Sequence, residues 1–313
     1  MGRYILLRVS GFFGVLLAVS FLTFILMHSV PGGPFDMMGG EKAVAIPPEL
    51  LKQLNHLYGL DKPVLVQYWI FLKNAVTLNF GYSFYWTTRT VTEIIRDQWP
   101  YTIQLGLMTL IFGGSFAILL GILSAIFQNT WIDVTGQLIT VFCIVMPTFV
   151  LAVLLQVVFS VWLRWLPTGG WTSPKQWILP VVCNSMVPVA VLVRFVRSGM
   201  VDVMHSNYVR TARAKGLGQT RVMLVHVFKN SLTPIITVGG PMIAGLITGS
   251  FFIESIFRVP GIGAYAINAV QNRDFPMIMA MTLLWTVLIS LTYLLTDLAY
   301  ALVDPRVTLV KEK

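Results

Sequence analysis

Long apolar runs separated by short polar stretches dominate the chain. Runs near 9–30, 101–127, 135–163, 177–197, 234–257 and 277–302 each meet the roughly 20 apolar residues that a membrane-crossing helix needs. They predict an all-α membrane protein with six transmembrane helices. Several runs contain Pro or Gly, as at Pro147, Pro180, Pro188 and Gly239-Gly240-Pro241. Such residues are tolerated in a membrane where neighbouring helices or a wet cavity satisfy the freed backbone groups, and plain packing accounts for them equally well. Gly245 and Gly249 form a GxxxG pair, which allows close helix approach.

The polar stretch after the first run also has helical signals. Pro47-Pro48-Glu49 opens a helix-like segment that Gly59 can close. Pro63 to Leu78 is a second, rich in aromatic residues, and Arg89 to Trp99 a third that leads into the next run. Small helices lying on the outer membrane face are expected there. Trp162, Trp165, Gly169, Gly170 and Trp171 have the composition of an interfacial aromatic belt.

Composition agrees with this pattern. Of 313 residues, 56% are hydrophobic and 11% charged, against roughly a quarter charged in soluble domains. Arg3 and Arg8 precede the first run as in a signal peptide, but the run is too long and no small-residue cleavage site follows, so it reads as a retained span. Six spans put both termini on one side, and the N-terminal arginines make that side cytoplasmic. The expected organisation is a first helix at 1–30, an extracytoplasmic loop at 31–97, a membrane core at 98–302 with a cytoplasmic loop at 198–233, and a cytoplasmic tail at 303–313. The stretch 31–100 carries six basic and six acidic residues, and a loop that long translocates with little regard to charge.

The net charge of +9 raises nucleic acid as a partner. Its distribution excludes that class: Arg194, Arg197, Arg210, Arg213, Lys215, Arg221 and Lys229 cluster in one stretch, with no recognition-helix or zinc-finger pattern. Cys143 and Cys183 sit in apolar runs without a CxxC partner, and the four histidines have no ligand spacing, so no metal site is expected.

The basic loop has a structure of its own. Ser206-Asn207 offers side-chain oxygens to cap a helix start. Val209, Ala212 and Gly216 then fall on one face, small and nearly flat, rimmed by Arg210, Arg213 and Lys215, and Gly216 and Gly218 can end the helix. A short helix fitted into a partner's groove is one reading; an ordinary positive-inside surface helix is the other.

At this stretch the chain resembles a known family. YVRTARAKGLG, followed after fifteen residues by Pro234, is similar to the EAA loop of ABC importer permeases, in the version found in oligopeptide, dipeptide and nickel importers. HSVPGGPF (28–35), LYGLDKPVLVQY (57–68), LNFGYSF (78–84), PTGGW (167–171), GSFFIESIFRVPGIG (249–263), NRDFP (272–276) and DLAYALVDPRV (297–307) follow the family's order over nearly the whole chain, closest to the B-type oligopeptide permease. One departure is visible: the gap from Gly216 to Pro234 exceeds that of the short pattern, and Thr233 precedes the proline.

The resemblance implies a type I ABC importer transmembrane domain. In such importers two permease subunits form the pore, two cytoplasmic ATPases bind the EAA loops, and an extracytoplasmic binding protein delivers the substrate. The coupling helix would be about Asn207 to Leu217, with Val209, Arg210, Thr211, Ala212, Arg213, Ala214, Lys215, Gly216 and Leu217 as the coupling residues. ATP and Mg would be bound by the partner ATPases, because this chain has no GxxxxGK[ST] loop; it is not expected to be an enzyme. The resemblance also suggests that the segment with Glu254 and Arg258, followed by Arg273 and Asp274, folds back near the pore mouth, where an interfacial loop with paired charges is the plainer reading. Met146, Asn184 and Ser185 lie mid-span and can line the path or join helices by hydrogen bonds. Asp297 reads as a proton site or a structural partner. Permeases for nickel, glutathione or another small solute remain open, and membrane lipid is expected around the spans. An ion-coupled transporter would need ionisable groups deep in the spans, which are nearly empty of them. A membrane enzyme would need a motif such as HExxH or GxSxG, and there is none.

Overall fold

The structure is a computed structural model, described for residues 2–29, 48–57 and 59–303. Most of the HSVPGGPF motif, Pro47, and the tail with Arg306, Lys311 and Lys313 lie outside the described residues. The described helices are α1 (Gly2–Ser29), α2 (Pro48–Leu57), α3 (Val64–Val76), α4 (Val91–Ile126), α5 (Trp131–Val145), α6 (Thr148–Trp162), α7 (Pro174–Met204), α8 (Asn207–Ala214), α9 (Leu232–Thr248), α10 (Phe251–Ile256), α11 (Ile262–Gln271) and α12 (Phe275–Val303).

Five stretches among the described residues are long and apolar enough to cross a membrane: Arg8–Ser29, Val91–Ile126, Pro174–Met204, Val238–Ile256 and Phe275–Asp297. The predicted span at 135–163 is not one straight helix. It is α5 and α6, bent by 102° at Met146-Pro147, and it makes a sixth crossing only if the pair counts as one span. The cause is local. A proline disfavours helical backbone in the residue before it, and Met146 and Pro147 both turn extended, with ψ of 120° and 129°.

The predicted boundary at 198 also moves. Helix α7 runs on to Met204, because Gly199 and Met200 are buried in apolar contacts that reward continued winding. Arg194 and Arg197 therefore belong to the helix, not to the loop. Pro180 and Pro188 lie inside α7 without ending it.

The chain divides into two compact units. One consists of Tyr101–Pro260 with the chain from Ile289 on, the other of Gly2–Pro100 with Gly261–Leu288. In the first, α7 is the central helix, touching α4, α5, α6 and α9. Membrane helices gain little from hydrophobicity against one another, so close approach through small residues does more of the binding. At Gly113 an added Cβ would lie 2.5 Å from Ser185 Oγ, and at Gly121 it would lie 2.7 Å from Val196 Cβ. Around Gly113 the α4 backbone widens into one π turn, Thr109–Gly113. The GxxxG expectation holds at one glycine only: among the described residues Gly245 has nothing within 4 Å, whereas Gly249, which ends α9 at φ 96°, lets α4 approach so closely that a Cβ would lie 2.8 Å from Thr102 Cγ2.

The second unit has a core of Val91, Ile94, Ile262, Ala266, Ala269, Met277, Ala280 and Met281. In it α3 lies along α1. The Tyr68 and Ser20 hydroxyls are 2.9 Å apart, and His28 Nε2 is 3.0 Å from Gln67 Oε1. The segments expected to be helical near 47–59 and 63–78 contain the helices α2 and α3, whereas the predicted third, near 89–99, is the first part of α4.

Replacing Gly121 with Leu should cost about 1–3 kcal/mol through overpacking, read as a lower thermal midpoint of the purified protein in detergent. Gly245→Leu should leave that midpoint unchanged.

Candidate functional site

Helix α8 begins where expected and ends sooner. Ser206 has the extended backbone of an N-cap (ψ 152°) but makes no side-chain capping bond. The helix closes at Ala214, with the Lys215 amide bonded to the Thr211 carbonyl at 3.0 Å and the Gly216 amide to the Arg213 carbonyl at 2.9 Å. Gly216 takes φ 76°, a left-handed value that favours glycine, and turns the chain away. Leu217 lies beyond the helix.

Two of the three stripe residues face inward, whereas Gly216 is exposed beyond the helix end. Val209 is 0% and Ala212 6% exposed, packed in one core with Ala125, Val196, Met200, Val222, Met223 and Val227. This corrects the sequence expectation that a partner approaches that face. Valine and alanine suit a short helix pressed against α7 and the π turn Val222–Phe228 just as well as they suit a partner's groove. What α8 offers to solvent is the opposite face, Tyr208, Arg210, Thr211, Arg213 and Ala214, continued by Lys215 and Gly216. That face is cationic and amphipathic, and it stands on a fixed apolar base.

The mid-span candidates join helices. Asn184 donates to Thr109 Oγ1 at 3.0 Å, which ties α7 to the π turn of α4. Ser185 is buried, donates to the Val181 carbonyl at 2.6 Å, and fills the space left by Gly113. Met146 is half-buried at the α5–α6 corner. Asp297 is half-buried on α12.

Glu254 is fully buried in α10 and accepts a hydrogen bond from Thr102 Oγ1 at 3.0 Å. The carboxylate also closes over Gly249, where a Cβ would stand 2.7 Å from Oε1. Arg258 is exposed, at φ 53°, just past α10. The PTGGW loop packs against this segment: the Gly170 amide bonds to the Phe257 carbonyl at 2.8 Å, and at Gly169 a Cβ would come 2.5 Å from the same oxygen. Trp171 donates to Gln104 Oε1 at 2.9 Å and is buried, unlike Trp162 and Trp165, which are exposed as a belt requires.

In the other unit, Asp274 is buried at the start of α12. Ser83 Oγ donates to Oδ2, the Phe84 amide to Oδ1 at 3.1 Å, the Tyr85 amide to Oδ2 at 3.3 Å, and the Met277 amide to Oδ1 at 3.3 Å. The carboxylate thus fastens the LNFGYSF turn to α12, an anion at a helix N-terminus.

One pair escaped the sequence reading. Asp133, in the first turn of α5, is 1% exposed, and Arg197 of α7 grips it with two bonds, Nε to Oδ1 at 2.6 Å and Nη2 to Oδ2 at 2.7 Å. The available signal was an acid at the start of an apolar run with no acidic or basic neighbour in sequence. Among the described residues no group of three or more metal-ligating side chains gathers.

Two family models match the chain. One, described as binding-protein-dependent transport system inner membrane component, covers residues 117–309, and the other, for the N-terminal part of such components, covers residues 1–106. The dipeptide transport system permease protein DppB of Bacillus subtilis is 36% identical over 313 residues, all of both chains. DppB of Lactococcus lactis is 40% identical over 309 residues, 99% of this chain and all of the relative. The oligopeptide transport system permease protein OppB of Escherichia coli is 35% identical over 309 residues, 98% of this chain and 99% of the relative. A chain of the inward-facing MetNI methionine ABC transporter matches in fold, with a TM-score of 0.56 and 13% identity over 67% of this chain and 96% of the other.

Asp274→Ala would leave buried donors unpaired, at about 1–3 kcal/mol for each such group. A clear fall in the thermal midpoint in detergent is the expected result, with Asp202→Ala, an exposed acid, as the unchanged control.

Proposed function

The chain belongs to the family of binding-protein-dependent transport system inner membrane components, and on that premise we propose that it is the permease subunit of an ATP-driven importer of dipeptides and oligopeptides. It lies in the cytoplasmic membrane of a bacterium and has the fold of a type I ABC importer permease. Identity of 35–40% along essentially the full length to permeases named for dipeptides and oligopeptides is the observation that carries the peptide assignment. It forms half of the translocation pathway, beside a second homologous permease. An extracytoplasmic binding protein delivers the peptide, and two cytoplasmic ATPase subunits bind ATP and Mg.

Helix α8 receives the ATPase. Its outer face presents Arg210 and Arg213 while its inner face, Val209 and Ala212, is sealed to α7 and Val222–Phe228. Motion imposed on the outer face therefore moves a packed body, not a loose loop. ATP can favour one conformation of the permease only through an interaction whose strength differs between conformations, and α8 is where that difference enters this chain. Asn184, Ser185 and Met146 act at helix contacts and at the α5–α6 corner. Glu254 shapes the segment that holds Arg258 toward the mouth.

Reconstituted with its partners in vesicles, the complex should take up labelled dialanine and trialanine only with ATP. Uptake driven by a proton gradient without ATP would overturn the assignment. Arg210→Glu and Arg213→Glu, which leave the inner face intact, should lower uptake per ATP hydrolysed by roughly tenfold, within the usual range of coupling free energies, while the complex still assembles. Native uptake in both variants would remove α8 from its role.

A further inference from the structure

Asp133 and Arg197 stand in a position that their contribution to folding does not explain. Both carboxylate oxygens are saturated: Oδ1 accepts from Arg197 Nε and from Gln137 Nε2 at 3.0 Å, and Oδ2 accepts from Arg197 Nη2 and from the Asn129 amide at 3.0 Å. Removing two charges from water costs about what their pairing returns, so an apolar pair of similar volume generally holds two helices together as well or better. What an apolar pair lacks is direction. The guanidinium is a rigid planar fork, and a bidentate grip on a carboxylate fixes both distance and rotation between the two groups.

The grip lies on a continuous mechanical line. The residue beside Arg197, Val196, and Met200 one turn on, form the core that seals Val209 and Ala212 of α8. Only His205 and Ser206 separate the end of α7 from the start of α8. Arg197 thus sits on the stretch of α7 to which α8 is fastened, and it holds the first turn of α5. The other end of α5 is the Met146-Pro147 corner, where the chain bends by 102° into α6. A glycine one turn after Asp133, Gly136, lets α5 lie directly against Ser124 of α4. Helix α5 is therefore oriented by the fork at its first turn, touches α7 again near its other end, where Cys143 Sγ lies 3.2 Å from Met186 Sδ, and loses helical continuity just beyond.

We infer that the Asp133–Arg197 pair is the joint that passes displacement of α8 to α5 and on to the α5–α6 corner, so that both residues are positioning residues for coupling. The inference rests on the reading of α8 as the helix that receives the ATPase. Asp133 and Arg197 touch no substrate in this role.

The test measures uptake of labelled trialanine and ATP hydrolysis on the same vesicles holding the full complex. The Asp133→Leu/Arg197→Met double variant keeps apolar volume between the helices and removes the fork. Asp133→Asn keeps the shape and removes the charge. The expected result is assembled complex with ATP hydrolysis retained within about twofold and uptake per ATP lowered roughly tenfold in the double variant, again within the range of coupling free energies. Asp133→Asn should fall in the same direction. A native uptake-to-hydrolysis ratio in the double variant would overturn the proposal. So would loss of uptake and hydrolysis together with loss of assembled complex in both variants, because the pair would then be merely structural. Failure of the α8 reading shows separately, as native uptake in the Arg210→Glu and Arg213→Glu variants whatever the joint variants do.

Discussion

Two membrane helices can touch only as closely as their largest facing side chains allow. At Gly113 and Gly121 that side chain is a hydrogen, and α7 settles onto α4 close enough for Ser185 and Val196 to occupy the space. The rest of the first unit depends on this approach. Once α7 is against α4, Asn184 reaches Thr109 in the widened turn, Arg197 reaches Asp133, and Val196 and Met200 present the surface on which α8 lies. A bulkier contact would part the helices along their whole length, since packed interiors shift as blocks and do not deform residue by residue.

Buried charge follows a common rule in both units. Asp133, Glu254 and Asp274 are all inaccessible, and each carboxylate sits at or near the start of a helix with donors brought to it. An ionised group without partners would be prohibitively costly there. Asp133 has a guanidinium and a backbone amide, Asp274 three backbone amides and a hydroxyl, and Glu254 a hydroxyl from Thr102. These groups are joints between segments distant in sequence, which is why their mates cannot be read from local pattern.

The apolar runs were legible because hydropathy over about 20 residues is a property of the run itself. The helices at 48–57 and 64–76 were legible from Pro and Gly signals and from aromatic content. So was the start of α8 at Asn207. The failures concern which face turns inward and where a helix stops or bends. Val209 and Ala212 share a face as their spacing predicts, while Gly216 lies past the helix end, and the choice between core and partner was made by Met223 and Val227, residues that period alone cannot place. Likewise Gly245 and Gly249 have helix-pair spacing, but Gly249 is needed for a backbone angle that ends the helix. The pre-proline constraint acts at Met146, Leu179 and Val187 alike, yet Met146-Pro147 breaks its span while Pro180 and Pro188 pass through α7, so a proline by itself does not mark where a span bends.

The Asp133–Arg197 pair also has a history in the making of the chain. Asp133 leaves the ribosome 64 residues ahead of its counter-ion, several seconds at the usual pace of about 5–20 residues per second. Through that interval an apolar segment carrying a carboxylate in its first turn has no cation to receive it. The bidentate partner is thus missing until α7 has been made, and the fit of α5 against α7 is completed only then.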